Sequence, residues 1–359
     1  MNIFNKYWQK LLVLAFGHGL NDFTAGYMLG YMVYSGTGIT SIAAGFLIYN
    51  LLAFGGQYFA AIILEKFSNK KIPLTIAASF NIIAVTLFYF SPYVSLIIAG
   101  CASAIYHVAG GTACVKENRA IGIGIFAAPG IAGLVLAGYF AFLKLDIWLQ
   151  LHLVSTGFVL LLQLVSIPSV KNVQEVKPKQ RHIGIEQHDV LMILLLALIS
   201  LRSAVWNIFQ IIHDQNYTWL LAIAASAFAG KIFGGWLSDR IGWKLYSIIS
   251  LTTAMPLVSF FKDELLLFCL GVGLLQSAIP ANTMMMINYC KGQKERAFAF
   301  SFGTAIIIGV LITSFIKVFS VNDMIFSLMI FLLILSWMIV QRKSGFFQKK
   351  GVAVIDLHE

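Results

Sequence analysis

The chain of 359 residues is strongly apolar and sparsely charged. Hydrophobic residues make up 59% of it and charged residues only 11%, against about 25% charged in an ordinary soluble domain. A soluble globule of this size cannot hide so much apolar surface, so we predict an integral membrane protein. The net charge of +10 does not indicate nucleic-acid binding, because the basic residues stand in short clusters between apolar stretches and form no continuous patch.

Apolar stretches of about 20 residues, the length needed to cross the hydrocarbon core, follow one another along the chain. The predicted spans are 8–34, 41–64, 72–90, 93–115, 120–143, 147–167, 190–213, 217–237, 245–261, 264–289, 296–318 and 322–341. We therefore expect an all-α membrane protein. The longest polar stretch, 168–189, predicts a cytoplasmic linker between an N-terminal six-helix bundle (1–167) and a C-terminal six-helix bundle (190–341), which a cytoplasmic tail (342–359) follows.

The distribution of basic residues predicts how the spans are oriented. If both termini are cytoplasmic, nearly all Lys and Arg residues of the connecting segments fall inside, and only Lys144, Lys262 and Lys317 fall outside. This asymmetry follows the positive-inside rule. We expect a multi-pass protein in the lipid bilayer of the inner membrane, with both termini in the cytoplasm.

A short repeat links the two predicted halves. The stretch after the eighth span contains Gly235, Asp239, Arg240, Gly242 and Lys244, and the stretch after the second span has Ala61, Glu65, Lys66, Ser68 and Lys70 at the same offsets. Two six-helix halves built as copies are a recurrent transporter plan. The repeated element resembles the signature loop of the major facilitator superfamily. That resemblance implies twelve transmembrane helices in two six-helix pseudo-repeat bundles, and a secondary active transporter that works by alternating access.

Other fragments resemble narrower groups within that superfamily. Gly17–Asp22, Tyr106-His107 and Leu201–Ser203 are similar to the fosmidomycin-resistance branch, although Val108 stands where that branch has proline. Ala128–Gly133 resembles the glycine-proline element of drug–proton antiporters. These likenesses imply proton-coupled efflux of a small solute by antiport. The signature loop implies that Glu65, Lys66, Gly235, Asp239, Arg240, Gly242 and Lys244 form gating contacts.

Polar side chains stand near the middle of the first, fourth, seventh and tenth spans, the helices that line the central cavity in the superfamily. A charged group at that depth costs roughly 2.5–3.5 kcal/mol on insertion scales, so it must face protein or a water-filled cavity. The set comprises His18, Asn21, Asp22, His107, Arg202, Gln276 and Asn282. The first three share one helical face, because they are spaced by three and four residues.

These residue types predict the binding of protons and of a small-molecule substrate. A histidine and a carboxylate one turn apart can share and release a proton near neutral pH, so we expect His18, Asp22 and His107 to couple protons. The expected substrate contacts are Asn21, Asp22, His107, Arg202, Gln276 and Asn282. Arg202 keeps its charge, and it either binds an anionic or zwitterionic substrate or neutralises Asp22 across the halves.

Two alternative functions remain open. His18, Asp22 and His107 could hold zinc or iron(II), which would make the chain a divalent-metal transporter, although Arg202 at the same depth would repel a cation. The chain could also be a non-transporting membrane sensor or assembly partner. We do not expect an enzyme, because no nucleophile–base or metal constellation stands at an interface. We expect a monomer without a cofactor or a resident metal, and its four cysteines show no metal-binding or redox spacing.

Overall fold

A computed structural model of the chain describes residues 3–115, 119–167, 187–212, 216–314 and 321–341. The described residues form helices and their connecting turns, so the fold is all-α. Residues 168–186 of the predicted linker and all of the predicted tail lie outside the described residues.

Twelve helical spans follow one another within the described residues. They are α1 (Ile3–Tyr34), α2 (Ile39–Leu64), α3 (Lys71–Leu87), α4 (Pro92–Cys114), α5 (Ala120–Phe142), α6 (Trp148–Leu164), α7 (Gln187–Ile212), α8 (Tyr217–Ile241), α9 (Trp243–Phe260), α10 (Leu265–Tyr289), α11 (294–314) and α12 (Val321–Gln341). Seven helices are long and apolar enough to cross a membrane by length and composition, and three shorter apolar helices accompany them. The prediction of a twelve-helix membrane protein is confirmed.

Local sequence signals set several helix ends. Pro92 stands at the first position of α4, where proline lacks only an N–H that would have no helical partner. Asn216 caps α8, because its side-chain oxygen accepts a hydrogen bond from the backbone N–H of Trp219 at 3.3 Å. Gly242 separates α8 from α9 with a φ of 93°, a backbone conformation that glycine adopts without steric cost.

The two halves meet most extensively through two pairs of helices, α5 with α8 and α2 with α11, and α5 also touches α10 while α4 touches α11. Both α2 and α11 contain a π-helical segment, at Leu51–Gly55 and Ala299–Thr304 respectively. The two segments touch across the interface: a Cβ on Gly303 would lie 2.6 Å from the carbonyl oxygen of Phe54. Such π turns often occur at functional sites, and here they lie where the halves must separate if the protein changes conformation.

Contacts between the halves are present at both ends of the bundle. At one end, the hydroxyl groups of Tyr34 in α1 and Tyr217 in α8 are hydrogen-bonded, and the ring of Phe142 stacks on Tyr217 with centroids 4.2 Å apart. At the other end, a Cβ on Gly235 in α8 would lie 2.9 Å from the carbonyl oxygen of Ala120 in α5. The halves are therefore held together both above and below the middle of the membrane.

Small residues bring α1 and α5 together within the N-terminal half. A Cβ on Gly133 of α5 would overlap the backbone of Gly19 in α1, whereas a Cβ on Gly138 of the same helix would meet nothing within 4 Å. Lipid tails are as apolar as the helix surface, so the hydrophobic effect does not drive helices together in a membrane. Close backbone approach at small residues does so instead, through van der Waals packing. This packing matters for function because Gly19 lies next to His18.

We expect Gly133→Val to destabilise the protein and Gly138→Val to leave it nearly unchanged. Both substitutions add the same β-branched side chain to α5, and only the first forces two helices apart, at a cost of about 1–3 kcal/mol. The measurement is the apparent melting temperature of each purified variant in detergent. Equal melting temperatures in the two variants would contradict the close α1–α5 packing.

Candidate functional site

Two histidines from different helices meet at the centre of the N-terminal half. The Nε2 atoms of His18 in α1 and His107 in α4 lie 2.9 Å apart. The Nδ1 atom of His18 is 2.7 Å from the carbonyl oxygen of Phe126, and that of His107 is 2.8 Å from the carbonyl oxygen of Ser103. Because a carbonyl oxygen only accepts, these contacts place a hydrogen on Nδ1 of His18, and also on Nδ1 of His107 when that atom donates to the carbonyl and does not accept from the Ser103 hydroxyl group 3.1 Å away. Two neutral rings would then point their Nε2 lone pairs at each other.

In that arrangement one cation would fit between the two rings. A single proton between the Nε2 atoms turns two opposed lone pairs into one hydrogen bond and gives the pair a positive charge. Asp22 supplies the counter-charge, since its Oδ2 atom lies 3.4 Å from Nε2 of His18 and its Oδ1 atom 3.9 Å from Nε2 of His107. The Asp22 side chain is 18% exposed and the His18 side chain 3% exposed. The carboxylate is therefore the more accessible end of the cluster.

Amide and hydroxyl groups hold the carboxylate in position. The Asn21 side-chain amide donates to Oδ1 of Asp22 at 2.9 Å and also lies 3.2 Å from Oγ of Ser103. Its oxygen accepts from the side-chain amide of Asn81 in α3 at 3.0 Å. The hydroxyl group of Tyr49 in α2 donates to the same Ser103 hydroxyl at 3.3 Å. Four helices thus contribute to one buried polar network, whose members support one another in a low-dielectric setting.

A glycine and aromatic rings form the walls of this cluster. A Cβ on Gly130 would lie 2.5 Å from Oδ2 of Asp22 and 2.7 Å from Nε2 of His18, so any larger residue there would displace the charged pair. The ring of Phe126 stacks on His18 with centroids 4.6 Å apart, and Phe54 packs edge-on against His107 at 6.2 Å. Apolar walls of this kind strengthen the electrostatic interactions inside.

The C-terminal half contributes a second polar group. Arg202 in α7 is 5% exposed, and one of its terminal nitrogens donates to Oε1 of Gln276 in α10 at 3.3 Å. Among the described residues, neither its Nε atom nor Nε2 of Gln276 has a hydrogen-bond partner. In the described part of the chain no carboxylate oxygen lies within 4.0 Å of Arg202. The guanidinium group consequently does not form an ion pair with Asp22.

The structure brings most of the predicted central residues into two groups. His18, Asn21, Asp22 and His107 form the first group, and Arg202 with Gln276 forms the second. Asn282 lies apart from both, because its side-chain oxygen accepts a hydrogen bond from the hydroxyl group of Ser247 in α9 at 2.8 Å.

Asp239 joins the halves at the end of the bundle predicted to be cytoplasmic. Its carboxylate accepts hydrogen bonds from the backbone N–H groups of Ala120 at 2.7 Å and Ile121 at 3.0 Å. These groups begin α5, where the unpaired N–H donors and the helix dipole favour a negative charge. The neighbouring Arg240 stacks 3.9 Å above the ring of Trp236, and Trp243 donates its indole N–H to Asp239 at 3.0 Å. The side chain of Lys244 is half-buried beside them.

The corresponding loop of the N-terminal half joins the start of α11. Glu65 accepts two hydrogen bonds from Arg296, at 2.7 and 3.1 Å. Lys70 forms an ion pair with Glu295 at 2.9 Å. Lys66, which the sequence assigned to the gate beside Glu65, is exposed. Each half thus contributes an acidic residue of the repeated element to a contact with the other half, and the partners belong to α5 and α11.

Comparison with known proteins supports the architecture. The sequence matches no family model, and no curated protein matches it. Solved structures do match: a variant of the E. coli fucose:proton symporter FucP superposes with a TM-score of 0.66 at 12% identity, covering 94% of this chain and 98% of that chain. FucP in the outward conformation, described as a major facilitator superfamily transporter, gives a TM-score of 0.69 at 13% identity, covering 94% and 99%. The chain has the major facilitator fold.

The sequence analysis did not name two buried polar residues of this major facilitator fold as site candidates. Gln57 in α2 is fully buried, and its side-chain amide donates to the carbonyl oxygens of Ala53 at 2.9 Å and of Phe302 in α11 at 3.0 Å. It therefore connects the two π segments. Lys231 in α8, which the sequence analysis did not include in the site, is 6% exposed and reaches into α5. In both cases the available signal was a strongly polar residue inside an apolar span.

We expect Glu65→Gln and Arg296→Gln to be coupled in a double-mutant cycle. The two-pronged contact lies partly in solvent, so its coupling free energy should be about 0.5–1 kcal/mol. The measurement is the unfolding free energy of wild type, both single variants and the double variant in detergent. Lys66→Gln combined with Arg296→Gln is the matched control and should be additive. Coupling in the control, or additivity in the test pair, would contradict the assignment.

Proposed function

We propose that this chain is a proton-coupled secondary transporter that moves a small organic anion or zwitterion across the inner membrane by alternating access. By its resemblance to exporter branches, it works as an antiporter that expels the solute while protons enter. The observation that carries the proposal is the histidine pair, whose Nε2 atoms face each other at 2.9 Å while each Nδ1 atom lies within 2.8 Å of a carbonyl oxygen.

The histidine pair supports coupling because it changes charge by one unit at a single place. Loading and unloading one proton switches the pair between neutral and cationic beside Asp22, and that change alters how strongly α1 and α4 hold each other. One charge moved across the membrane is worth about 2.3 kcal/mol per 100 mV. A single coupled proton is therefore sufficient to sustain a solute gradient of tenfold or more.

Arg202 supports a negatively charged substrate. Its guanidinium group is buried, always charged and only partly hydrogen-bonded. A planar guanidinium group binds carboxylate or phosphate oxygens in a two-pronged geometry. A solute carboxylate on Arg202 would satisfy the free Nε atom and the neighbouring Gln276 amide.

The contacts of Asp239 and Glu65 are the ones that would form and break during alternating access. Each acidic side chain holds the other half at the predicted cytoplasmic end. A conformation open at that end must lose these contacts and gain compensation elsewhere. Substrate or proton binding can bias this equilibrium only by interacting differently with the two conformations.

We expect Asp22→Asn to abolish proton-coupled transport. The amide cannot balance the charge of a protonated histidine pair, so loading a proton at the buried site becomes unfavourable. The measurement uses proteoliposomes with a pH-sensitive dye inside, and screens small organic anions, cations and divalent metals for substrate-driven proton flux.

Asp146→Asn is the matched control, because it makes the same chemical change at an exposed carboxylate and should keep normal coupling. Normal proton flux in Asp22→Asn would reject the coupling role of the cluster. Substrate movement without proton flux in the wild type would indicate a uniporter.

Divalent-metal transport is the second candidate, and one observation favours it. The ligand atoms of His18, Asp22 and His107 all lie within 4.8 Å of one another. Two imidazole nitrogens on a tetrahedral zinc ion stand about 3.3 Å apart, so the 2.9 Å between the Nε2 atoms would need only a small adjustment. Buried Arg202 and Lys231 in the other half oppose a divalent cation.

We expect zinc and iron(II) to leave the melting temperature of the purified protein unchanged. A bound metal at a hundred times its dissociation constant would add about 2.7 kcal/mol of stability, which is readily measured. Metal stabilisation that disappears in His107→Ala would establish the metal site and displace the proton proposal.

A further inference from the structure

Lys231 is a buried cation whose role the proposed function does not include. It lies near the middle of α8 (Tyr217–Ile241) and is 6% exposed. Its ammonium group donates one hydrogen bond, to the carbonyl oxygen of Ala127 in α5 at 3.0 Å. In the part of the chain that the structure describes, no carboxylate oxygen lies within 4.0 Å of it. An ammonium group has three donors, so most of its capacity is unfilled.

The position of Lys231 connects both polar groups of the site. Ala127 is the neighbour of Phe126, whose carbonyl oxygen is 2.7 Å from Nδ1 of His18. A Cβ on Gly124 of α5 would lie 2.3 Å from the carbonyl oxygen of Lys231 and 3.4 Å from Cγ of Pro280, which stands one turn after Gln276, the hydrogen-bond partner of Arg202. The lysine side chain therefore reaches from the C-terminal half to the edge of the histidine cluster, and its backbone lies beside the helix that holds the partner of Arg202.

The atoms of the Arg202–Gln276 pair that lack a hydrogen-bond partner are both donors. Nε of Arg202 and Nε2 of Gln276 have no hydrogen-bond partner in the part of the chain that the structure describes. The orientation of the Gln276 amide is fixed, because its oxygen accepts from a guanidinium group that can only donate. Buried donors without partners cost free energy, and an anion that accepts from them would remove that cost.

The charges near the middle of the membrane do not balance without a ligand when Lys231 is protonated. Arg202 and a protonated Lys231 then outnumber Asp22, so the site has one excess positive charge when the histidine pair is neutral. With the shared proton on the histidines the excess is two. Burying uncompensated charge is expensive, and a dianion would neutralise the protonated site.

We propose that Lys231 and Arg202 form a two-cation site for a small organic dianion with two separate acid groups, such as a dicarboxylate. The cations belong to different helices, α8 and α7, which suits two separate acid groups better than one doubly charged group. In the present conformation the ammonium rests on the Ala127 carbonyl, a contact that is lost when α8 moves away from α5 and frees Lys231 for the substrate. This inference rests on the proposed function and names its substrate class.

The first test needs no knowledge of the substrate. Lys231→Gln removes the charge but keeps a donor for the Ala127 carbonyl, and Lys144→Gln makes the same change at an exposed lysine. If Lys231 is an unpaired cation that awaits an anion, the ligand-free Lys231→Gln protein will melt at a higher temperature than wild type, and Lys144→Gln will melt like wild type. A melting temperature at or below that of wild type in Lys231→Gln would overturn the proposal.

The second test compares dicarboxylates of two to five carbons, including succinate and glutarate, with their singly charged monoamides. We expect at least one dicarboxylate to stabilise the wild-type protein more than its monoamide does. Lys231→Gln should weaken the apparent affinity for that dicarboxylate roughly tenfold or more, because it removes one partner of a buried charge pair. Lys231→Arg should restore part of the affinity, and Lys144→Gln should leave it unchanged.

Three results of the second test would overturn the proposal: equal stabilisation by a dicarboxylate and its monoamide, unchanged affinity in Lys231→Gln, or no stabilisation by any dicarboxylate. Each of them leaves the proton-coupling proposal standing if Asp22→Asn still abolishes substrate-driven proton flux. Loss of the two-cation site and loss of proton coupling are therefore measured separately.

Discussion

The opposed Nε2 atoms of His18 and His107 are the constraint to which the rest of the site responds. Each Nδ1 atom lies within 2.8 Å of a backbone carbonyl oxygen, and the two Nε2 atoms are 2.9 Å apart, so a proton between them would replace two opposed lone pairs by a hydrogen bond. The cluster is packed among Phe126, Phe54 and the close-packed glycine Gly130. In the proposed mechanism, a proton at this point is linked to the relative positions of α1, α4 and α5.

Helix α5 connects this cluster to the other half. The carbonyl oxygen of Phe126 contacts His18, and the next carbonyl oxygen, of Ala127, accepts from Lys231 in α8. The N-terminus of the same helix binds Asp239. One helix of the N-terminal half thus contacts His18, Lys231 and Asp239. The proposed coupling between these residues would run through this helix, and it requires that α5 and α8 separate in another conformation.

The second interface, between α2 and α11, has a different character. It brings two π segments together through Gln57 and the close approach of Gly303 to Phe54, and it ends in the ion pairs of Glu65 with Arg296 and of Lys70 with Glu295. Gln57 donates to one carbonyl oxygen of each π segment, that of Ala53 at 2.9 Å and that of Phe302 at 3.0 Å.

The sequence by itself determined the twelve helices, because apolar length and the polar stretches between them are local properties. It also selected His18, Asp22, His107 and Arg202, since an ionisable residue in an apolar span is conspicuous without any coordinates. Only the tertiary structure decided which of these residues meet. Glu65 pairs with Arg296 and leaves Lys66 exposed, and Arg202 makes no ion pair with Asp22, because pairing depends on how separate helices pack. Lys231 belongs near the site for the same reason: nothing in α8 alone indicates that its ammonium group reaches α5.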